Sequence, residues 1–188
     1  TPAIDDHQDR LQLQTQSAIL QVQKTLLSPT GSIAPGDVLT YQLQITNQGA
    51  VGTDDFQISD DLGALNSTPY FVPGSLVLGA INDEVPADND VSNSNPMGGT
   101  NQQGLVDIRN LDIAAAIDPL PAPVIPSAPV TINYSVTLQD VIPNGTVIRN
   151  QATAQGQTVD TVNSPINSIT ISSAPQFSFS KTVVDISG

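Results

Sequence analysis

The strongest constraint on the fold is an alternation of apolar and polar residues that runs through most of the chain. In residues 38–47, for example, leucine, tyrosine and isoleucine alternate with threonine and glutamine. A side-chain period of two is typical of a strand with one face in the core. No segment shows a convincing helical period, and only residues 112–118 could form a short turn of helix. The alternation predicts strands over residues 19–26, 38–47, 55–62, 75–79, 105–113, 131–138, 146–154 and 168–173.

Glycine, proline and asparagine mark turns between these strands, at residues 35–37, 47–49, 73–74 and 143–145. Seven or more short strands with one apolar face, separated by such turns, predict an all-β, antiparallel two-sheet sandwich. Two segments do not fit the strand pattern. Residues 82–104 are predicted to form a long polar loop, and residues 118–129 are predicted to form a proline-rich connector.

Composition excludes several classes of function. The 188 residues carry 18 acidic and five basic groups and a net charge of -13, so we expect no nucleic-acid binding. The chain has no cysteine and one histidine, which excludes disulfides, thiolate or histidine zinc sites and a Ser-His-Asp triad. No apolar run approaches the roughly 18 residues of a membrane span, so we expect no membrane insertion. The low lysine content and the many threonine, asparagine and glutamine residues favour a secreted or cell-surface protein.

Three polar side chains occur in phase with the apolar face of three different strands. Lys24 shares its face with Leu20 and Val22, Asp60 lies in phase with the apolar residues of 55–62, and Asn150 lies in phase with those of 146–154. Because successive side chains of a strand point to opposite faces, we expect all three residues to point inward.

A buried lysine needs a partner because burial disfavours its charged form. One interpretation is a buried Lys24–Asp60 ion pair, with Asn150 completing the hydrogen bonds. The other is an intramolecular amide, in which neutral Lys24 attacks the Asn150 side chain and ammonia leaves. In that reaction Asp60, protonated because it is buried, would polarise the carbonyl and shuttle the proton. The residues alone leave both interpretations open.

Several motifs occur in an order that resembles a known family. They are Lys24-Thr25, Gly36-Asp37, Asn47-Gln48-Gly49, Ser59-Asp60-Asp61-Leu62 and Asn150-Gln151-Ala152-Thr153. Over about residues 19–173, the set resembles the repeat domains of bacterial and archaeal surface proteins classed as domain-of-unknown-function family eleven. The resemblance implies an immunoglobulin-like sandwich. It also implies similarity to adhesin domains that form a Lys–Asn isopeptide bond with a catalytic acid, and these roles map onto Lys24, Asn150 and Asp60.

The chain also contains an internal repeat. Its two lysines, Lys24 and Lys181, lie in similar segments, LQVQKTLL and FSFSKTVV. We therefore expect one complete repeat over residues 19–173, with residues 1–18 resembling the end of a preceding repeat. Residues 174–188 would form a linker and the first strand of a following repeat, in which Lys181 is the candidate for its cross-link. The expected partners are neighbouring repeats or identical subunits, held through these terminal strands.

Residues 82–104 contain a dense group of acidic side chains, Asp83, Glu84, Asp88 and Asp90. Hard oxygen ligands at this density could hold Ca²⁺, although the spacing is not that of an EF-hand. A solvated acidic loop is the simpler interpretation, so the sequence implies no cofactor other than this candidate calcium.

The sequence thus predicts a load-bearing spacer of a surface protein or fibre rather than an enzyme. At most, it would catalyse one turnover on itself. A filament subunit joined head to tail by its terminal strands and a calcium-dependent, ligand-binding adhesin are the alternatives.

Overall fold

The computed structural model describes residues 17–83, 90–117, 123–174 and 180. Eleven strands occur in this part of the chain: β1 Leu20–Ser28, β2 Val38–Asn47, β3 Thr53–Asp61, β4 Val77–Asn82, β5 Val91–Ser92, β6 Leu105–Ile113, β7 Val130–Thr137, β8 Val147–Asn150, β9 Thr153–Gly156, β10 Val162–Asn163 and β11 Asn167–Thr170. No helix among these residues is long and apolar enough to cross a membrane.

The strands form an all-β, immunoglobulin-like sandwich, as predicted. The first sheet has the order β1-β2-β7-β4, the second has the order β10-β9-β3-β6-β5, and β11 and β8 form a third, two-stranded sheet. Every strand pair is antiparallel. The alternation in β2 becomes an alternation in burial, with Leu39, Tyr41, Leu43 and Ile45 at most 1% exposed. The inner faces therefore form the single core that the period of two predicts.

The predicted strand over residues 146–154 is two strands instead of one. β8 pairs with β11, whereas β9 pairs with β3 and β10 in the second sheet. Between them, the Ala152 backbone N–H donates to Ser164 Oγ at 3.1 Å, and the Ser164 N–H donates to the Ala152 carbonyl oxygen at 2.8 Å. These bonds hold the segment where it crosses from one sheet to the other.

The possible helical turn at 112–118 does not form over its described residues. Asp112 and Ile113 end β6, and the next backbone groups bond to other segments. The Ala114 carbonyl oxygen accepts from Asn47 Nδ2, and the Ala116 N–H donates to the Gly49 carbonyl oxygen. These backbone groups thus form hydrogen bonds with another segment of the chain rather than with each other.

The predicted long polar loop over residues 82–104 contains short regular elements in its second half. β5 pairs with β6, and Thr100–Gln102 form a single 3-10 turn. The turn is held by Gln103, which is fully buried and whose Oε1 accepts from the backbone N–H groups of Tyr70 and Phe71. Residues 84–89 lie outside the described part of the chain.

The described chain begins and ends at opposite ends of the sandwich. Leu20, at the start of β1, pairs with Asn47 at the end of β2. Ile171, just after β11, bridges Ile33 near the start of β2. Residues 1–16, 118–122, 175–179 and 181–188 lie outside the described part, and with them most of the predicted flanking strands and part of the proline-rich connector.

Candidate functional site

Strands of all three sheets bring Lys24, Asp60 and Asn150 into the interior. Lys24 lies on β1 at the edge of the first sheet, and Asp60 lies on β3 at the centre of the second. Asn150 is the last residue of β8. Their exposed fractions are 7%, 1% and 2%, so the predicted inward orientation of all three residues is confirmed.

Asp60 receives two hydrogen bonds on one oxygen. Lys24 Nζ lies 2.5 Å from Asp60 Oδ2, and both side chains are completely shielded from solvent. The Tyr134 hydroxyl donates to the same oxygen at 2.6 Å. The other carboxyl oxygen, Asp60 Oδ1, is buried and makes no hydrogen bond to any described residue. One oxygen is therefore held by donors while the other stays open to a further partner.

Two aromatic rings enclose the lysine amine. Lys24 Nζ lies 4.6 Å from the centre of the Tyr41 ring and 5.4 Å from that of the Tyr134 ring. The two rings are register partners on β2 and β7, with centres 5.5 Å apart. Their negative faces attract the ammonium form, but they also exclude water from the amine.

Burial determines the charge of these groups. Burial lowers the pKa of the Lys24 amine below its usual 10.5, against the opposing effect of the Asp60 charge and hydrogen bond. Burial also raises the pKa of Tyr134 well above 10, an effect that the charge of Asp60 reinforces. The neutral amine, which has a free electron pair, is thus more accessible here than on a protein surface.

Asn150 lies beside this group with half of its amide unused. Burial and Asp60 raise the pKa of Tyr134, and the Asn150 side chain, which lies close to the Tyr134 hydroxyl, opposes them. Asn150 Oδ1 accepts the backbone N–H of Gln151 at 2.8 Å. Asn150 Nδ2 is buried and donates no hydrogen bond to any described residue. An unpaired buried NH₂ costs free energy, which its release as ammonia would remove.

The alternation of the sequence identified Lys24, Asp60 and Asn150 but gave no role to the two tyrosines. Tyr41 and Tyr134 each have the inward phase in their own strands, at 1% exposure. This inward phase is visible in the sequence, where by itself it indicates only that the two tyrosines are core residues. A phenol placed inward opposite an inward acid points to a buried hydrogen bond.

The structure describes only some residues of the predicted calcium site and does not describe Lys181. Among the described residues, no three histidine, cysteine or acidic side chains are grouped as metal ligands would be. Asp83 Oδ2 accepts the backbone N–H of Asp112 at 3.3 Å. Glu84 and Asp88 lie outside the described part of the chain, so the calcium site stays a prediction. The same holds for the predicted cross-link of Lys181.

Comparisons with known proteins found similar solved structures, and one of them, with a TM-score above 0.5, supports the fold. A variant of BcpA, the major pilin subunit of Bacillus cereus, matches with a TM-score of 0.51 and 13% sequence identity, over 81% of this chain and 40% of the pilin. The C-terminal fragment of GBS80, the major pilin of Streptococcus agalactiae, matches with a TM-score of 0.48 and 13% identity, over 81% of this chain and 56% of the fragment. The collagen-binding domain of a Staphylococcus aureus adhesin matches with a TM-score of 0.39 and 14% identity, over 81% of this chain and 97% of that domain.

These likenesses concern architecture only. The chain spans about 40% of the length of the Bacillus cereus pilin that it matches. No protein-family model and no curated protein matches the sequence. The likeness to the pilin therefore shows a shared β-sandwich fold, and the role of this chain has to be argued from its own residues.

Proposed function

We propose that the chain is an extracellular structural or adhesive module, a load-bearing spacer of a surface repeat protein or fibre. A self-formed amide between Lys24 and Asn150 locks the sandwich. The observation that carries the proposal is the fully shielded contact of Lys24 Nζ with Asp60 Oδ2 at 2.5 Å. The Tyr134 hydroxyl bonds to the same oxygen and lies close to the buried side chain of Asn150.

The chemistry needs only these side chains. Lys24 gives a proton to Asp60, and its neutral amine attacks Cγ of Asn150. The open oxygen of Asp60 carries the proton and hydrogen-bonds the developing oxyanion of Asn150. As the tetrahedral carbon collapses, the bond from Cγ to Nδ2 breaks, and Nδ2 leaves as ammonia with a proton that Asp60 transfers to it from the attacking nitrogen. The attacking nitrogen keeps one hydrogen as the amide N–H, and Asp60 ends as a neutral acid that holds the proton first given up by Lys24.

The two competing interpretations differ in what they predict for free energy. In an ion pair, Lys24 and Asp60 would have to offset the cost of removing two charges from water, which is seldom recovered in full. Amide formation removes the charge of Lys24, and Asp60 keeps the proton that Lys24 gave up, so neither group has to stay charged in the interior. For a lysine in this position, a neutral cross-link between two sheets therefore costs less free energy than a buried ion pair.

The cross-link would also change the path of a pulling force. The described chain begins at Ser17 beside β1 and leaves the sandwich after β11, at the opposite end. An amide between residues 24 and 150 carries tension directly from β1 to β8, so residues 25–149 are not stretched. This property suits a spacer under load.

Intact mass spectrometry tests the cross-link. Loss of one ammonia makes the native chain about 17 Da lighter than its sequence mass, because acyl transfer expels the amide nitrogen. The Lys24→Ala, Asn150→Ala and Asp60→Ala variants should keep their full sequence masses. The matched control is Asn133→Ala, which removes an asparagine from the outer face of β7 and should leave the chain lighter by the same amount.

Trypsin locates the bond. In the linked chain Lys24 is not cleaved, so residues 11–109 should stay joined to residues 150–181 as one branched peptide. Recovery of separate peptides 11–24 and 150–181 from native protein would refute the amide.

A groove along the outer edge of β1 favours a second candidate, the filament subunit joined by terminal strands. β1 is an edge strand, and the groove beside Leu20–Gln23 has a volume of about 700 Å³. Such an edge offers backbone groups to an added strand. Deleting residues 1–16 should abolish filaments seen by electron microscopy if this candidate holds, and leave the mass loss of the cross-link unchanged.

A further inference from the structure

Both ends of the sandwich expose apolar side chains that the cross-link does not use. At the end where β1 begins, Ile19, Val51, Ile117, Val124 and Ile125 are between 38% and 62% exposed. We call this surface the N-terminal pole. Isolated exposed apolar residues are common on proteins, but five of them at one end are characteristic of a contact surface.

Backbone hydrogen bonds hold the N-terminal pole together. Ile117 and Ile125 exchange backbone hydrogen bonds at 2.9 and 2.8 Å, and the neighbouring Ala116 N–H donates to the carbonyl oxygen of Gly49 at 2.8 Å. Gly49 lies directly against the incoming chain, since a Cβ at this position would be 2.5 Å from the Ser17 carbonyl oxygen. The exposed residues are therefore presented on a fixed surface around the start of β1.

The opposite end carries an apolar groove, which we call the C-terminal pole. It has a volume of about 530 Å³ and is lined by Ala34, Pro35, Val141, Ile142, Pro143 and Ala174, among others. Val141 is 89% exposed, more than any other large apolar residue in the described part of the chain. Ala174 lies at this groove, where the described chain leaves the sandwich.

The internal repeat fixes how near a following copy must lie. Lys24 and Lys181 are 157 residues apart, so Phe177 aligns in sequence with Leu20, the first residue of β1. The chain is anchored up to Ser173, whose N–H donates to Asn144 Oδ1. Since a residue spans at most about 3.6 Å, the four steps from 173 to 177 reach at most about 14 Å. The N-terminal pole of a following copy therefore has to lie close to this groove.

We infer that the N-terminal pole of one copy packs into the C-terminal groove of the preceding copy, with Ile117, Val124 and Ile125 covering Val141. The partner is a second copy of this fold, placed as the next repeat. Contacts between domains of one chain commonly bury only moderate areas, and a short tether raises the effective concentration enough to hold them. The inference rests on the tandem arrangement in the proposed function but not on the Lys24–Asn150 amide.

The absence of cysteine from the sequence permits a direct test by disulfide trapping. The full chain carrying Val141→Cys is mixed with the full chain carrying Ile117→Cys and oxidised mildly. The amount of mixed disulfide is compared with that from Val141→Cys and Val77→Cys, since Val77 is similarly exposed, at 61%, but lies on β4. Thermal melting of each variant checks that it is folded.

We expect about fivefold more mixed disulfide than in the control, the ratio given by roughly 1 kcal/mol of contact free energy. Adding Ile125→Asp to the Ile117→Cys chain should reduce the yield to that of the control, whereas adding Val77→Asp should not. Yields equal to the control, or dimers mainly between two Val141→Cys chains, would overturn the inference. A native mass lighter by one ammonia would still support the cross-link, so the two proposals can fail separately.

Discussion

Two buried asparagines end strands of this sandwich, and they are bonded in opposite ways. Asn47, at the end of β2, uses its whole side chain: Oδ1 accepts from Ile19 and Gly49, and Nδ2 donates to Val51 and Ala114. Asn150, at the end of β8, uses only Oδ1, and its Nδ2 has no hydrogen-bond partner among the described residues.

The difference separates an amide with a structural role from the one that we propose to react. The nitrogen of Asn47 is held by two carbonyl oxygens, and no amine is among the hydrogen-bond partners of its side chain. The nitrogen of Asn150 meets no described acceptor at good hydrogen-bond geometry, and its one polar neighbour is the Tyr134 hydroxyl. Tyr134 in turn shares Asp60 with Lys24. Burial is common to the two asparagines, and what distinguishes Asn150 is its incomplete hydrogen-bond set. We therefore propose Asn150, and not Asn47, as the cross-linking residue.

Asn150→Ala should give the largest effect, because it opens the proposed cross-link. When the chain is pulled from its two ends, the variant should unfold to a length about 440 Å greater than that of the native protein, since residues 25–149 become extensible at about 3.5 Å each. Single-molecule force spectroscopy measures this length. Equal extension of the two proteins would mean that no bond joins Lys24 to Asn150.

Asn47→Ala should act on stability and leave the chemistry intact. It leaves two backbone N–H groups and two carbonyl oxygens without their partner, so we expect the free energy of unfolding to fall by about 3 kcal/mol. Urea denaturation measures the change, and intact mass should still show the loss of one ammonia. Asn133→Ala, on the outer face, should cost under about 0.5 kcal/mol. Loss of the cross-link in Asn47→Ala would contradict the assignment of separate roles to the two asparagines.

Tyr134→Phe should slow the formation of the cross-link without preventing it. The Tyr134 hydroxyl fixes Asp60 Oδ2, so its loss lets the carboxyl group rotate away from its working position. We expect a rate about tenfold lower, equivalent to about 1.4 kcal/mol in the barrier. The mass is followed over time after refolding from denaturant. Tyr41→Phe is the matched control because it keeps the ring over Lys24; equal rates in both variants and the native protein would exclude a positioning role.

The smallest effect is a pH dependence confined to unlinked protein. In Asn150→Ala, Lys24 remains an amine whose pKa in the folded state is lowered below 10.5 by burial. The unfolded state then binds more protons, so the stability of this variant should rise as pH increases from the lowered pKa towards 10.5, by at most about 1.4 kcal/mol per pH unit. Lys24→Ala lacks the amine and should show no such rise.

Denaturation at several pH values below 10 measures this contribution and avoids the tyrosines. The pKa of Tyr134 is raised by burial, so its contribution to stability is lost only above pH 10. If the stability of Asn150→Ala fell over the same range, the buried amine would be carrying its charge more readily than burial implies.

The sequence predicted the sandwich and the inward phase of Lys24, Asp60 and Asn150, because a period of two determines which face of a strand a residue occupies. It did not predict that Tyr134 would meet Asp60. Contacts between sheets depend on how the sheets are staggered and twisted, which the alternation within one strand does not encode.

The sequence pattern also did not predict where the regular structure is interrupted. β8 and β9 separate because Ser164 bonds to Ala152, a partner twelve residues away. The 3-10 turn at Thr100–Gln102 depends on the burial of Gln103, a polar residue in a run without apolar signals. Each depends on a specific tertiary hydrogen bond rather than on a repeating pattern.

The long insertion between β4 and β6 lies between residues 24 and 150 in the sequence. A covalent bond between these two residues would keep both halves of the chain attached even after a protease cut the insertion. We therefore expect proteolytic cleavage in the insertion to leave a chain of such modules connected. Sequence changes there could accumulate without weakening the whole assembly, which leaves the insertion free to diversify.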